Sequence, residues 1–147
     1  MNVVDRDIVA LYYLVINRAY EVMNFLKKGL QESAYHAALE WELANAGVKV
    51  ESEQLFHIWY KGHQLDKKYK LDLVVNGNVI IELKAKDDLS PEHRLQLFNY
   101  MRLTRLPYGL LLNFGSNGNI SAERYCLDSD SNTVFLFDRK GTILFSK

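Results

Sequence analysis

The stretch Lys70-Leu71-Asp72-Leu73-Val74-Val75-Asn76-Gly77-Asn78-Val79-Ile80-Ile81-Glu82-Leu83-Lys84-Ala85-Lys86 decides the fold. Two apolar runs flank a tight-turn tripeptide, the signature of a β-hairpin. With Asn76, Gly77 and Asn78 as the turn, Val75 faces Val79, Val74 faces Ile80 and Asp72 faces Glu82. One face then carries Lys70, Asp72, Val74, Ile80, Glu82 and Lys84. The other carries Leu71, Leu73, Val75, Val79, Ile81, Leu83 and Ala85. A slip by one residue would mix the two sets, so the apolar pattern selects this register.

The register sets two carboxylates opposite each other, about 5 Å apart at Cβ, where like charges repel. A divalent cation between them would remove the repulsion and use both as hard oxygen ligands. Lys84, two residues beyond Glu82 on the same face, could hold a hydroxide-like nucleophile or neutralise a phosphate oxygen. The same residues also suit an ordinary solvated strand face, with Lys84 paired to Glu82.

Upstream, Ile8, Leu11, Tyr12, Val15, Ala19, Val22 and Leu26 recur at three and four residues and predict an amphipathic helix of about five turns. A Lys27-Lys28-Gly29 corner follows. A second helix is expected from about Gln31 to Ala46, with Leu30, Ala34, Ala37, Ala38, Trp41 and Ala44 inward and Gly47 as its C-cap. The period then changes to two. Residues 48–60 read as a strand broken near Ser52, Lys61-Gly62-His63 as a turn, and residues 64–75 and 79–86 as the hairpin strands. Pro91 opens a third helix carrying Leu95, Leu97, Phe98, Met101 and Leu103, and Pro107 marks its end. Residues 108–114 form an apolar, central strand. Two further strands, 133–137 and 142–145, are joined by Asp138-Arg139-Lys140-Gly141. The order ααββββαβ, with a C-terminal β extension over 116–147, is an α/β fold with a mixed sheet flanked by helices.

The chain has 147 residues, 48% hydrophobic and 24% charged, the balance of one globular domain over 1–147 rather than a disordered segment. A chain of this length buries roughly two thirds of its unfolded surface and needs no disulfide or structural metal to fold. Cys126 stands alone, which excludes an intrachain disulfide, and no Cys/His cluster has zinc-site spacing. With no apolar run of about 18 residues and no signal-peptide pattern, the expectation is a cytoplasmic protein without a membrane partner. Eighteen basic and eighteen acidic residues cancel, which argues against nucleic-acid binding by bulk charge. The distribution is uneven: residues 1–60 carry −3, residues 61–106 carry +3 and the rest is balanced. An anionic ligand is therefore expected on the middle segment.

The pattern of the hairpin continues on both sides. Gly29-Leu30-Gln31-Glu32-Ser33-Ala34-Tyr35 reads G-x-x-E-x-x-Y, and Gln96 and Tyr100 form a Q-x-x-x-Y pair on one helix face. Together with Tyr60-Lys61-Gly62, Asp72-Leu73-Val74-Val75, Ile80-Ile81-Glu82-Leu83-Lys84-Ala85 and Gly109-Leu110-Leu111-Leu112-Asn113-Phe114-Gly115, these stretches resemble the GxxExxY proteins. That is a small bacterial group of the PD-(D/E)xK nuclease superfamily. The resemblance covers about residues 7–115 and leaves out 116–147. It implies a restriction-endonuclease-like core and Mg²⁺ or Mn²⁺ as cofactor. It implies Asp72 and Glu82 as metal ligands with the Leu83 carbonyl, Glu32 as the acid contributed by the preceding helix, and Lys84 as the residue that assists the attacking water. Gln96 corresponds to the glutamine that lies beside such sites. The sequence departs from the group where Met23 follows Glu21 by two residues in place of His, where Lys27 stands for a Gly, and where Lys70 stands for an Arg.

Tyr100, Lys70 and His93 are candidates for substrate contact. Each motif residue also has an ordinary structural role. Glu32 suits a helix N-terminus, His36 a hydrogen-bonded and partly buried position, and Gln96 and Tyr100 a pair at the core edge. Lys67, Lys68 and Lys70 could track a nucleic-acid backbone or protect a strand edge. Cys126 reads as an inert thiol, and Trp41 and Trp59 as core or interface. Two functions follow. One is metal-dependent hydrolysis of phosphodiester bonds, in DNA first and RNA second. The other is a non-catalytic nuclease-fold module for nucleic-acid binding or protein assembly. The oligomeric state, including a homodimer, is left open.

Overall fold

A computed structural model of the chain describes residues 3–116 and 119–146. Helices α1 (Arg6–Leu26) and α2 (Glu32–Asn45) come first, then strands β1 (Val50–Tyr60), β2 (His63–Val75) and β3 (Val79–Lys84). Helix α3 (Pro91–Thr104) leads into β4 (Tyr108–Ser116), β5 (Asn119–Asp128), β6 (Thr133–Phe137) and β7 (Ile143–Ser146). All seven strands form one sheet in chain order, with β4 at its centre. Only β3 and β4 pair in parallel, because α3 crosses over between them; the remaining neighbours are antiparallel.

Helices α1 and α2 cover one face of the sheet. Tyr12, Val15, Ala19, Leu39 and Leu43 pack there on Leu73, Val75, Ile81, Leu83, Leu110 and Leu112. Helix α3 covers the other face, where Leu97, Phe98, Tyr100 and Met101 pack on Leu71, Val74, Ile80 and Leu111. With both faces covered, β3 and β4 read as near-continuous apolar runs.

Three details differ from the sequence reading. First, three strands, not four, lie between α2 and α3. The expected break near Ser52 is a local irregularity at Glu53, which takes φ +54° inside a continuous β1. Second, the buried stripe of α2 is Tyr35, Leu39 and Leu43. Trp41 and Leu30, expected inward, are 64% and 43% exposed. Alanines suit either side of a helix, and the three large residues at four-residue spacing fix its rotation. Third, β5 lies in a part of the C-terminal β extension to which the sequence reading gives no named strand. Its face toward the first two helices carries Ile120, Ala122 and Cys126, but Arg124 interrupts the apolar alternation. Of that tail, residues 117, 118 and 147 lie outside the described residues. Among the described residues no helix is long and apolar enough to cross a membrane.

Candidate active site

The β2–β3 ladder is regular at Val75↔Val79, Val74↔Ile80 and Leu73↔Ile81, the register the turn and the apolar pattern select. One residue further on, side chains replace the backbone ladder. The Asp72 N–H donates to Glu82 Oε1 at 3.2 Å, and the Leu83 N–H donates to Asp72 Oδ2 at 2.9 Å. Each carboxylate crosses to the opposite strand and takes an N–H there, so the sheet opens with both acids in the gap. The alternation of faces breaks at the same point. Leu71 packs under α3 with Val74 and Ile80, whereas Leu73 packs under the other two helices. Leu71 is therefore not on the face that the hairpin pattern assigned to it.

Glu82 is 3% exposed. Burial, and then the neighbouring Asp72 charge, holds its carboxyl well above the ordinary value. Among the described residues no Lys or Arg nitrogen lies within 4 Å of either carboxylate, so no ion pair compensates the charge. Lys84, two residues on, instead donates from Nζ to Gln96 Oε1 at 3.0 Å. Gln96 Nε2 in turn donates to the Tyr100 hydroxyl at 2.9 Å. The Tyr100 ring packs on Tyr69 with centroids 5.1 Å apart, and burial, then Glu82, raises its pKa. Tyr100 thus backs the relay from beneath rather than facing solvent.

Helix α3 is fixed so that this relay meets Lys84. Ser90 caps it and Pro91 opens it. Arg94 makes a bidentate pair with Glu123 of β5, two contacts of 2.8 Å. His93 closes the capping box, its Nδ1 accepting from the Ser90 N–H at 3.1 Å, which leaves the proton of a neutral ring on Nε2. Burial, then Lys84 and Lys86, lowers the His93 pKa, so the neutral ring is favoured.

The G-x-x-E-x-x-Y stretch sets the opposite wall. Gly29 takes φ +103°, a conformation that side chains rarely adopt. The Tyr35 hydroxyl donates to the Lys27 carbonyl at 2.7 Å and accepts from the Leu30 N–H at 3.1 Å. Its ring stacks on Phe114 at 4.8 Å. The tyrosine therefore clamps the corner that delivers Glu32 to the first turn of α2. Burial, then Asp72, raises the Glu32 pKa, while Lys84, Lys86 and His36 lower it. Tyr35→Phe is expected to cost about 1–3 kcal/mol of stability, because a carbonyl and an N–H lose a partner. Urea unfolding of the two proteins measures it.

Among the described residues, no three His, Cys, Asp or Glu side chains are grouped closely enough to hold an ion. Asp72 and Glu82 form the pair, and Glu32 senses Asp72 without joining them. Lys70 is exposed and pairs in the ladder with Leu55. His36 bonds Ser52 Oγ through Nε2 at 2.8 Å and ties α2 to β1. Cys126 is buried, and burial pushes its thiol up to about 11, as an inert thiol requires.

Three contributors carry no role in the sequence reading. Lys86 is close enough to shift both Glu32 and His93; its spacing of two from Lys84 was the available signal. Asn113 is fully buried and bonds both ways to the Lys86 backbone, accepting from its N–H at 3.0 Å and donating to its carbonyl at 2.8 Å. Gly115 lies against the same backbone: a Cβ there would stand 2.3 Å from the Lys86 carbonyl oxygen. Asn113 and Gly115 therefore fix the chain just past Lys84. An open pocket of about 260 Å³ beside the relay is lined by Tyr69, Glu92, Leu95, Gln96, Asn99 and Tyr100. A larger concavity of about 710 Å³ lies along β5 and β6 and includes none of the paired acids.

The fold is similar to the crystal structure of SSO0001, with a TM-score of 0.50 and 22% identity, over 84% of this chain and 62% of that one. The chain thus spans less than two thirds of the length of that structure. None of the curated proteins compared matches the sequence. A family model of the PD-(D/E)XK nuclease superfamily matches residues 9–125, ten residues further than the stretch on which the sequence resemblance rests. The mixed sheet between α1–α2 and α3 is a restriction-endonuclease-like fold, and the chain belongs to the PD-(D/E)XK nuclease superfamily.

Proposed function

We propose that the chain is a divalent-cation-dependent nuclease that hydrolyses phosphodiester bonds, with DNA as substrate before RNA. The observation that carries this reading is the open β2–β3 junction, where a buried carboxylate and its neighbour face each other with no Lys or Arg nitrogen in ion-pair range among the described residues. Superfamily membership supports it. Such a pair is costly alone and suits a hard cation.

Asp72 and Glu82 would hold the ion. The Leu83 carbonyl leaves β3 on the same side as its N–H, toward Asp72, and is the third oxygen. Glu32 is the further acid. Bound Mg²⁺ or Mn²⁺ supplies positive charge to the phosphoryl oxygen and lowers the pKa of its water. Lys84 Nζ keeps donors beyond the one given to Gln96. It holds the oxygen of the attacking water and places it against phosphorus. Gln96 aims Lys84, and Tyr100 aims Gln96. The His93 Nε2–H and Lys70 donate to phosphate oxygens of the bound strand.

Thermal unfolding of the metal-free protein with Mg²⁺ or Mn²⁺ tests the site. Binding to the folded state alone adds about 2.7 kcal/mol at a hundred times Kd, several degrees in Tm. Cleavage of single- and double-stranded DNA and of RNA is then measured with each ion. No shift together with no cleavage would sink the nuclease reading in favour of the non-catalytic module.

A further inference from the structure

We propose that the β1–β2 hairpin is an arm that grips single-stranded nucleic acid beside the open junction, stacking a base on Trp59 and pairing phosphates with Lys67, Lys68 and Lys70. The inference rests on the nuclease reading and names its substrate class. Strand β2 pairs with β3 only over residues 73–75, and its remainder pairs with β1 alone. Nine residues of β2, from His63 to Leu71, therefore run beyond Asp72, roughly 30 Å at strand rise. Strand β3 runs toward the junction, and β2 is antiparallel to it. The arm consequently leaves the sheet at the end where Glu82 and Lys84 stand, and any polymer seated at the junction lies along it.

The arm has the chemistry for such a strand. Residues 53–70 carry four lysines against Glu53 and Asp66, in a chain whose net charge is zero. Trp59 and Tyr60 are 61% and 57% exposed, and Lys61 Nζ lies 5.3 Å from the Tyr60 ring centroid. Leu55 faces Lys70, His57 faces Lys68 and Trp59 faces Gln64 in the ladder. A Gln64–His57 side-chain bond of 2.9 Å carries that face across the bulge. That face thus joins Lys68 and Lys70 to His57 and Trp59, and Lys67 lies at the bulge beside it. Strand β1, the outer edge of the sheet, contains no lysine, whereas Lys67, Lys68 and Lys70 sit on the part of β2 that has no partner on its other side and borders the junction. An exposed indole on an arm that also carries these ammonium groups suits unpaired bases, whose faces are free, better than a duplex, whose faces are stacked.

The test is binding of a fluorescent 20-nucleotide single strand, and of the matching duplex, to the full chain in EDTA, where hydrolysis does not interfere. Trp41→Phe leaves Trp59 as sole indole, and its emission should be quenched by the single strand. Trp59→Ala should weaken single-strand binding roughly tenfold, since stacking on one base is of that order. Lys67→Gln, Lys68→Gln and Lys70→Gln together should lower the slope of log Kd against log salt by about 2. Unchanged emission together with unchanged affinity in the variants overturns the arm. So does loss of self-association in Trp59→Ala with nucleic-acid binding intact, which makes the arm a contact between copies. Cleavage is scored separately in Mg²⁺: cleaving protein with indifferent arm variants loses only this inference. Arm-dependent binding without cleavage loses only the nuclease reading.

Discussion

Glu82→Gln is expected to lower phosphodiester cleavage by roughly a thousandfold or more, because several kcal/mol of transition-state stabilisation are lost at about 1.36 kcal/mol per tenfold. It is also expected to stabilise the metal-free protein at neutral pH. The amide keeps an oxygen that can accept from the Asp72 N–H and removes a charge that is buried beside another acid. The sign of the pH dependence follows from the direction of the shift. Burial and Asp72 raise the Glu82 carboxyl above its ordinary value of 4.5, so the folded state binds its proton more tightly than the unfolded chain does. Its contribution to stability is complete below that ordinary value and is lost as pH rises through the raised one. The metal-free wild type should therefore lose stability on going from acid toward neutral pH over that window, and Glu82→Gln should lack this decline. Thermal unfolding of both proteins in EDTA across pH measures it. A variant less stable than wild type at every pH would mean that Glu82 is held by compensating contacts and has no need of a cation.

Lys84→Ala should lower cleavage on the order of 10²–10⁴-fold, the usual contribution of a positioned proton-handling group. Affinity for Mn²⁺ should stay the same or rise slightly, because a positive charge leaves the neighbourhood of the ion. Gln96→Ala should act in the same direction but more weakly. It frees Lys84 from its 3.0 Å anchor and leaves the ammonium in place. Calorimetry with Mn²⁺ and single-turnover cleavage, on the same preparations, separate the two effects. Full cleavage by Lys84→Ala would make this lysine a surface residue that happens to touch Gln96, and the water-holding role would be wrong.

Among relay residues, those in the motifs were legible and those that support them were not. Asp72, Glu82 and Lys84 announce themselves because a tight turn and two apolar runs impose one register on a short segment. Gln96 and Tyr100 follow from helical spacing of four. Asn113 and Gly115 lie in a motif that assigns them no role. Their partner is the Lys86 backbone, 27 and 29 residues away in the chain, and no local pattern names it. From the sequence Trp59 reads as core or interface, because a tryptophan in an apolar strand usually packs. Whether it does depends on whether a neighbouring strand or helix covers that end of β1, and here none of the packed clusters includes it.

The sequence by itself determined the hairpin register, the helix ends marked by Gly47, Pro91 and Pro107, and the face-to-face placement of Asp72 and Glu82. These rest on turn chemistry and on periods of two and 3.6, which act over a few residues. Only the tertiary structure decided that the sheet opens at that pair, with each carboxylate taking an N–H of the opposite strand. It also decided the rotation of α2, the membership of β5 in the sheet and the length of the projecting arm. Pairing between β2 and β3 ends at Leu73↔Ile81, and beyond it Leu71 packs under α3 while Leu73 packs under the other two helices, contacts that lie far apart in the chain.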